Sequence, residues 1–154
     1  MLRMQQAQFD AIREHGEAAY PHESCGVLLG HSTDGVNAVV DAVRAENTRA
    51  DSAHNRYQIA PQELVRVQRE ARQQGLDIVG FYHSHPDHPA RWSSTDFAEA
   101  HWLGCSYVIT GIERGTAKET NSFLLTGLGE DDKKFENEEI NVSSAGPVFV
   151  EMRK

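Results

Sequence analysis

A chain of 154 residues with 39% hydrophobic and 25% charged content has the size and make-up of one globular domain, long enough to bury roughly 70% of its unfolded surface without disulfides or a structural metal. The formal charge of −8 argues against nucleic acid as a partner, because phosphate binding needs a basic face. No apolar run approaches the roughly 20 residues that cross a bilayer, the first residues lack a signal-peptide core, and Cys25 and Cys105 make no disulfide framework, so a reducing cytoplasm is the expected compartment.

From about Arg3 to Tyr20, Phe9, Ile12, Ala18 and Ala19 recur among polar positions and predict an amphipathic helix that Pro21 ends. Cys25 to Gly30 is a short apolar strand, His31 to Gly35 a turn, and Val36 to Glu46 a second strand by its β-branched content. The polar stretch Asn47 to Asn55 reads as a loop, and Arg56 to Ile59 as a short edge strand. Pro61 suits the first turn of a helix on which Leu64, Val67, Gln68 and Ala71 share a stripe, with Gly75 as its stop. Ile78 to Tyr82 is a buried strand, and a helix is expected from about Ser93 to Leu103. Ser106 to Ile112 and Asn121 to Leu125 form a strand pair, the acidic stretch Gly127 to Asn137 a loop, and Val142 with Val148 to Met152 a last strand. The order α-β-β-α-β-α-β-β predicts an α/β fold with a mixed central sheet and helices packed against it.

The segment with chemistry in it is His83-Ser84-His85-Pro86-Asp87-His88-Pro89-Ala90-Arg91-Trp92-Ser93-Ser94-Thr95-Asp96. Residues i and i+2 of a strand face the same side, so His83 and His85 present both imidazoles together at the end of the buried strand. Ser93-x-x-Asp96 has the form of a capping box, which holds an acid rigidly in a first helical turn without preventing it from facing a metal. Two imidazoles and one carboxylate leave a fourth tetrahedral position open, the catalytic rather than the structural zinc arrangement. Hydrolysis would also need a proton acceptor, and the residues alone leave Glu23 and Asp87 both eligible.

This pattern, Glu23 upstream of His83-x-His85, seven residues, Ser93, two residues and Asp96, resembles the JAMM (MPN-plus) metallopeptidase signature. Pro86 and the run Pro21 to Gly30 fit the same surroundings, and the similarity extends from about Met4 to Ile112. The resemblance implies a cytidine-deaminase-like fold, one zinc ion per chain on His83, His85 and Asp96, Glu23 as general base and acid, and Ser93 as hydrogen-bond donor to the oxyanion. It further implies an isopeptidase or peptidase that cuts after the C-terminal Gly-Gly of a ubiquitin-like or sulfur-carrier protein. That substrate tail would lie extended, as a strand added beside a sheet edge.

Three other readings compete. An MPN-type binding module would use the same fold without catalysis. His83-Ser84-His85-Pro86-Asp87-His88 also resembles the H-x-H-x-D-H motif of metallo-β-lactamase-type dinuclear hydrolases, which would make Asp87 and His88 essential. Cys25 or Cys105 could serve as a nucleophile, although a free cysteine opening an apolar strand usually packs as a small hydrophobe. Trp92 and Trp102 read as packing residues, with Trp92 able to line a cleft rim. The oligomeric state is not readable.

Overall fold

The computed structural model describes residues 1–49 and 57–144. In chain order its elements are β1 (Leu2–Gln5), α1 (Gln6–Ala19), β2 (Cys25–Thr33), β3 (Val36–Ala45), α2 (Pro61–Gln73), β4 (Asp77–Pro86), α3 (Ser94–Ala98), β5 (Ser106–Glu113), β6 (Thr116–Thr126), β7 (Lys134–Glu138) and β8 (Ile140–Ser143). The strands form a single sheet in the order β7-β6-β5-β4-β2-β3-β1-β8. The sheet is mixed: β4 runs parallel to β5 and β1 parallel to both its neighbours, while β2 is antiparallel to β3 and to β4.

The two faces carry separate cores. Val27, Leu29, Phe81, Tyr107 and Leu125 point to one side, where Val67 and Ala71 of α2 cover them. Leu28, Val39, Val79, Tyr82 and Val108 point to the other, against Ile12 and Phe9 of α1. Phe81 and Tyr82 therefore part company, as alternation along a strand requires, and Phe81 shares its side with His83 and His85. Gly80 lets β4 approach β5, since a Cβ there would run into the Ser106 carbonyl oxygen.

The structure corrects several expectations. The first helix begins at Gln6, because Leu2 and Met4 alternate with Arg3 and Gln5 as a buried/exposed strand that pairs with β3 and β8. The helix expected from Ser93 to Leu103 is five residues long. After Ala98 the chain turns irregular, and Lys133 donates to the Ala98 and Ala100 carbonyls where a helix would have bonded itself. Part of the acidic stretch is a strand: β7 pairs with β6 and turns Phe135 into a ring cluster with Phe97, Tyr107 and Phe123. Of the expected edge strand, Tyr57 to Ile59 is irregular and Arg56 lies outside the described residues. Val142 does lie in a strand, β8, whereas Val148 to Met152 falls outside the described residues.

Candidate metal centre

The site is built where β4 runs out of the sheet. Its last residues, His83 to Pro86, still pair with Ile109 to Ile112 of β5, so both imidazoles stand on a paired backbone. His83 and His85 are 3% and 8% exposed, and their Nε2 atoms lie 3.2 Å apart. Asp96 closes the triangle, with Oδ1 3.3 Å from His83 Nε2 and Oδ2 3.1 Å from His85 Nε2. Burial alone would raise the Asp96 carboxyl, but hydrogen bonds from the two histidines and from Ser93 N–H hold it well below the usual carboxylate range.

Two local devices fix these side chains. His85 Nδ1 lies 2.9 Å from the Pro89 carbonyl, a contact that keeps a proton on Nδ1 and so makes Nε2 the nitrogen that would give up its proton to bind a metal. Ser93 and Asp96 form the capping box: Asp96 N–H donates to Ser93 Oγ at 3.0 Å and Ser93 N–H to Asp96 Oδ2 at 2.9 Å. The cap and the His83–His85–Asp96 triangle thus share the same carboxylate.

Three ligands of a tetrahedral zinc, with metal–nitrogen bonds of about 2.0–2.1 Å, stand roughly 3.3–3.4 Å from one another. The 3.2 Å between the two histidine nitrogens fits that edge length, and each nitrogen has an Asp96 oxygen at a similar distance, Oδ1 from His83 and Oδ2 from His85. Among the described residues, His83, His85 and Asp96 form the cluster able to hold a metal ion. The donor set of two imidazoles and one carboxylate suits zinc.

Glu23 joins from the segment just before β2. Cys25 pairs with His83, and continuing that antiparallel register by two residues sets Glu23 across from His85. Ser24 N–H donates to Ser84 Oγ at 2.8 Å and Ser84 N–H to the Ser24 carbonyl at 3.2 Å, which locks this junction. Glu23 is 5% exposed, and its Oε1 is buried without a hydrogen-bond partner among the described residues. Burial lifts its carboxyl to about 7, opposed by His83 and His85 and reinforced by Asp96 and Glu99. Glu23, His85, Ser93 and Asp96 line one cleft of about 940 Å³.

The competing candidates lie elsewhere. Asp87 adopts φ 57° in an exposed turn, and its carboxylate accepts from Tyr20 Oη at 2.6 Å and Arg114 N–H at 2.8 Å. It therefore ties loops together rather than facing the histidines, and His88 is outside the triangle, so the H-x-H-x-D-H geometry is not assembled. Cys25 and Cys105 are buried and their thiols are pushed up to about 12 by burial, which disqualifies both as nucleophiles. Trp92 is at the cleft edge, 41% exposed, with its ring against Phe97 and Phe135.

Two contributors escape the sequence reading. Tyr57 stacks on the His83 ring at 4.5 Å and 24°. Asn47 donates to the Glu23 carbonyl at 3.1 Å while its Oδ1 accepts from the Arg49 and Gln58 N–H groups. A lone tyrosine in a polar stretch was the available signal for the first; the second had none.

Residues 5–125 match the family described as prokaryotic homologs of the JAB domain. The chain belongs to that family. It is 37% identical over 108 residues to a protein named Desampylase from Haloferax volcanii, an alignment covering 70% of this chain and 76% of the relative. Among solved structures, a Salinibacter ruber protein is 40% identical with a TM-score of 0.68, covering 91% of this chain and 90% of its own. A Desulfitobacterium hafniense protein reaches a TM-score of 0.78 at 27% identity, covering 94% of both chains. A JAB1/MPN domain protein from Archaeoglobus fulgidus, at 18% identity and a TM-score of 0.56 over 92% of this chain and 96% of that one, shares the fold. The JAB-family chain thus has the mixed-sheet architecture of JAB1/MPN proteins, and among the described residues no helix is long and apolar enough to cross a membrane.

Proposed function

We propose that this JAB-family chain is a zinc-dependent isopeptidase or peptidase that hydrolyses the bond after the C-terminal Gly-Gly of a ubiquitin-like or sulfur-carrier protein. The observation that carries the reading is that His85 and Asp96 of the His83–His85–Asp96 triangle share one cleft with Glu23, whose buried Oε1 has no hydrogen-bond partner among the described residues. The name of the Haloferax relative, Desampylase, supports a substrate of the ubiquitin-like modifier type.

Bound at His83, His85 and Asp96, zinc would act as a Lewis acid that polarises the scissile carbonyl and acidifies water. Glu23 takes the proton from the attacking water, a transfer suited to a carboxyl poised near 7, and returns it to the departing amine. Ser93 Oγ already accepts the Asp96 N–H, so its own hydrogen is free to point at the developing oxyanion. Pro89 and Ser93 N–H keep His85 and Asp96 aimed throughout, and neither side chain takes part in proton transfer.

The test is incubation with carrier proteins extended past Gly-Gly, with and without chelator, read by intact mass. Chelator-sensitive loss of the extension is expected from the zinc-loaded protein. Glu23→Gln should lower the rate by roughly 10²–10⁴-fold while zinc content stays at one per chain. Zinc-loaded protein that binds such carriers but leaves their mass unchanged would make it a binding module instead.

A further inference from the structure

Two corners of the triangle have partners that aim them: the Pro89 carbonyl holds His85 Nδ1, and Ser93 N–H holds Asp96. The third corner is held differently. His83 Nε2 faces His85 and Asp96, while its Nδ1 meets no hydrogen-bond partner among the described residues. What meets the His83 ring is Tyr57, with centroids 4.5 Å apart and planes inclined by 24°. Both values belong to a stacked aromatic pair.

The ordinary uses of a tyrosine do not account for Tyr57. It lies outside the buried clusters that make up the core, and among the described residues His83 is its one ring partner. It lines a neighbouring hollow of about 330 Å³ rather than the cleft that Glu23, His85, Ser93 and Asp96 share, so it touches a ligand residue without facing that cleft. The backbone that carries it is pinned at the next residue. Gln58 N–H donates to Asn47 Oδ1 at 3.1 Å, and the Gln58 carbonyl accepts from Thr48 N–H and Thr48 Oγ1, both at 2.9 Å. Asn47 Nδ2 in turn donates to the Glu23 carbonyl at 3.1 Å, so the tyrosine is seated on the same anchor as the segment before β2.

We propose, on the zinc-site reading given above, that Tyr57 is the positioning residue of His83, seated by Asn47. Its ring face holds the imidazole plane with Nε2 toward His85 and Asp96, the task that a hydrogen bond performs for the other two corners. A metal ion on Nε2 draws electron density from the imidazole, and the electron-rich face of a tyrosine favours an electron-poor ring beside it. The stack therefore stabilises the loaded site over the empty one. Outer partners of metal ligands typically alter metal affinity by about 10-fold to 100-fold. Leucine would fill much of the same space without a π face, whereas phenylalanine keeps the face and drops the hydroxyl. Tyr57 is half-buried and in no helix or strand, so neither substitution removes a core side chain.

The experiment measures zinc affinity, by competition with a chromophoric chelator, for wild type, Tyr57→Phe and Tyr57→Leu. Tyr57→Phe should stay within about twofold of wild type, and Tyr57→Leu should bind zinc about 10-fold more weakly. Cobalt(II) loaded in place of zinc adds a spectroscopic readout of the ligand geometry. Its visible bands should move in Tyr57→Leu and stay in place in Tyr57→Phe. Asn47→Ala keeps the ring but frees its seat, so it too should weaken zinc binding. The double variant with Tyr57→Leu should then be no weaker than Tyr57→Leu alone. Unchanged zinc affinity in Tyr57→Leu, whatever its stability in urea, would reduce Tyr57 to packing and overturn the proposal. Equal losses in Tyr57→Phe and Tyr57→Leu would assign the effect to the hydroxyl and overturn the stacking role. Additive losses in the double variant would overturn the seating by Asn47. In each of these cases wild type still binds zinc, and the peptidase reading is untouched. Wild type that takes up no zinc would sink the metal reading and the role of Tyr57 together.

Discussion

Asp96 Oδ2 accepts the Ser93 N–H at 2.9 Å and lies 3.1 Å from His85 Nε2, so one oxygen serves the helix start and the His83–His85–Asp96 triangle together. Asp96→Ala should therefore lose zinc and also the reciprocal half of the capping box, worth about 1 kcal/mol. Asp87→Ala and His88→Ala should retain zinc at one per chain, although Asp87→Ala loosens the turn that Tyr20 and Arg114 share with it. Zinc content by elemental analysis checks all three, and metal loss in Asp87→Ala with retention in Asp96→Ala would sink the assignment. These residues were legible because a two-residue strand period and a fixed loop length write the geometry into the letters. Tyr57 and Asn47 were not, since neither ring stacking on His83 nor a bond to the Glu23 carbonyl follows any periodicity.

The short α3 depends on β7 and the turn before it. The Lys133 side chain is almost wholly buried, and its Nζ donates to the Ala100 carbonyl at 2.8 Å, pairs with Glu130 at 3.0 Å, and lies 5.0 Å from the centre of the Phe97 ring. Five residues are too few for a helix to persist alone, so the clamp on its C-terminal carbonyls substitutes for further turns. Lys133→Met keeps the stem but removes the donor, which should destabilise the protein by roughly 1–3 kcal/mol in denaturant unfolding. Because α3 carries Asp96, the same variant should also give up zinc to a competing chelator sooner than wild type. This coupling explains why sequence overran the helix. Ser93 to Leu103 reads as continuous helix by composition, while the element that ends it lies some thirty residues away. It also explains why β7 was hidden: Lys134–Glu138 is acidic like a solvated loop, and only Phe135 reaches the aromatic cluster.

At the scale of the molecule, the sheet order puts β7 and β8 at opposite edges although only Glu139 separates them in sequence. The sheet must curl to bring those edges to one corner, and Leu2 N–H bonds the Glu139 carbonyl there at 2.9 Å. Such long-range pairing was not legible, whereas the two-faced alternation that assigns Tyr82 to the α1 side was. On that side His15 Nδ1 of α1 meets Tyr82 Oη at 2.7 Å, with Arg44 of β3 nearby. Burial, aided by the Arg44 charge, lowers the His15 ring from 6.5 to about 4. Between those values the unfolded chain binds a proton that the folded chain refuses, so stability is lost as pH falls from 6.5 toward 4 and this contribution is flat above and below that window. Since His15 is only half-buried, solvent screening reduces the effect to roughly 1–2 kcal/mol. His15→Gln keeps an acceptor for Tyr82 but cannot charge. The stability difference between wild type and variant, followed by urea unfolding at stepped pH, cancels the titrations common to both. It should move against wild type by that amount between pH 7 and pH 4. A difference that stays constant across the range would show that the α1 face accepts the charged ring without penalty.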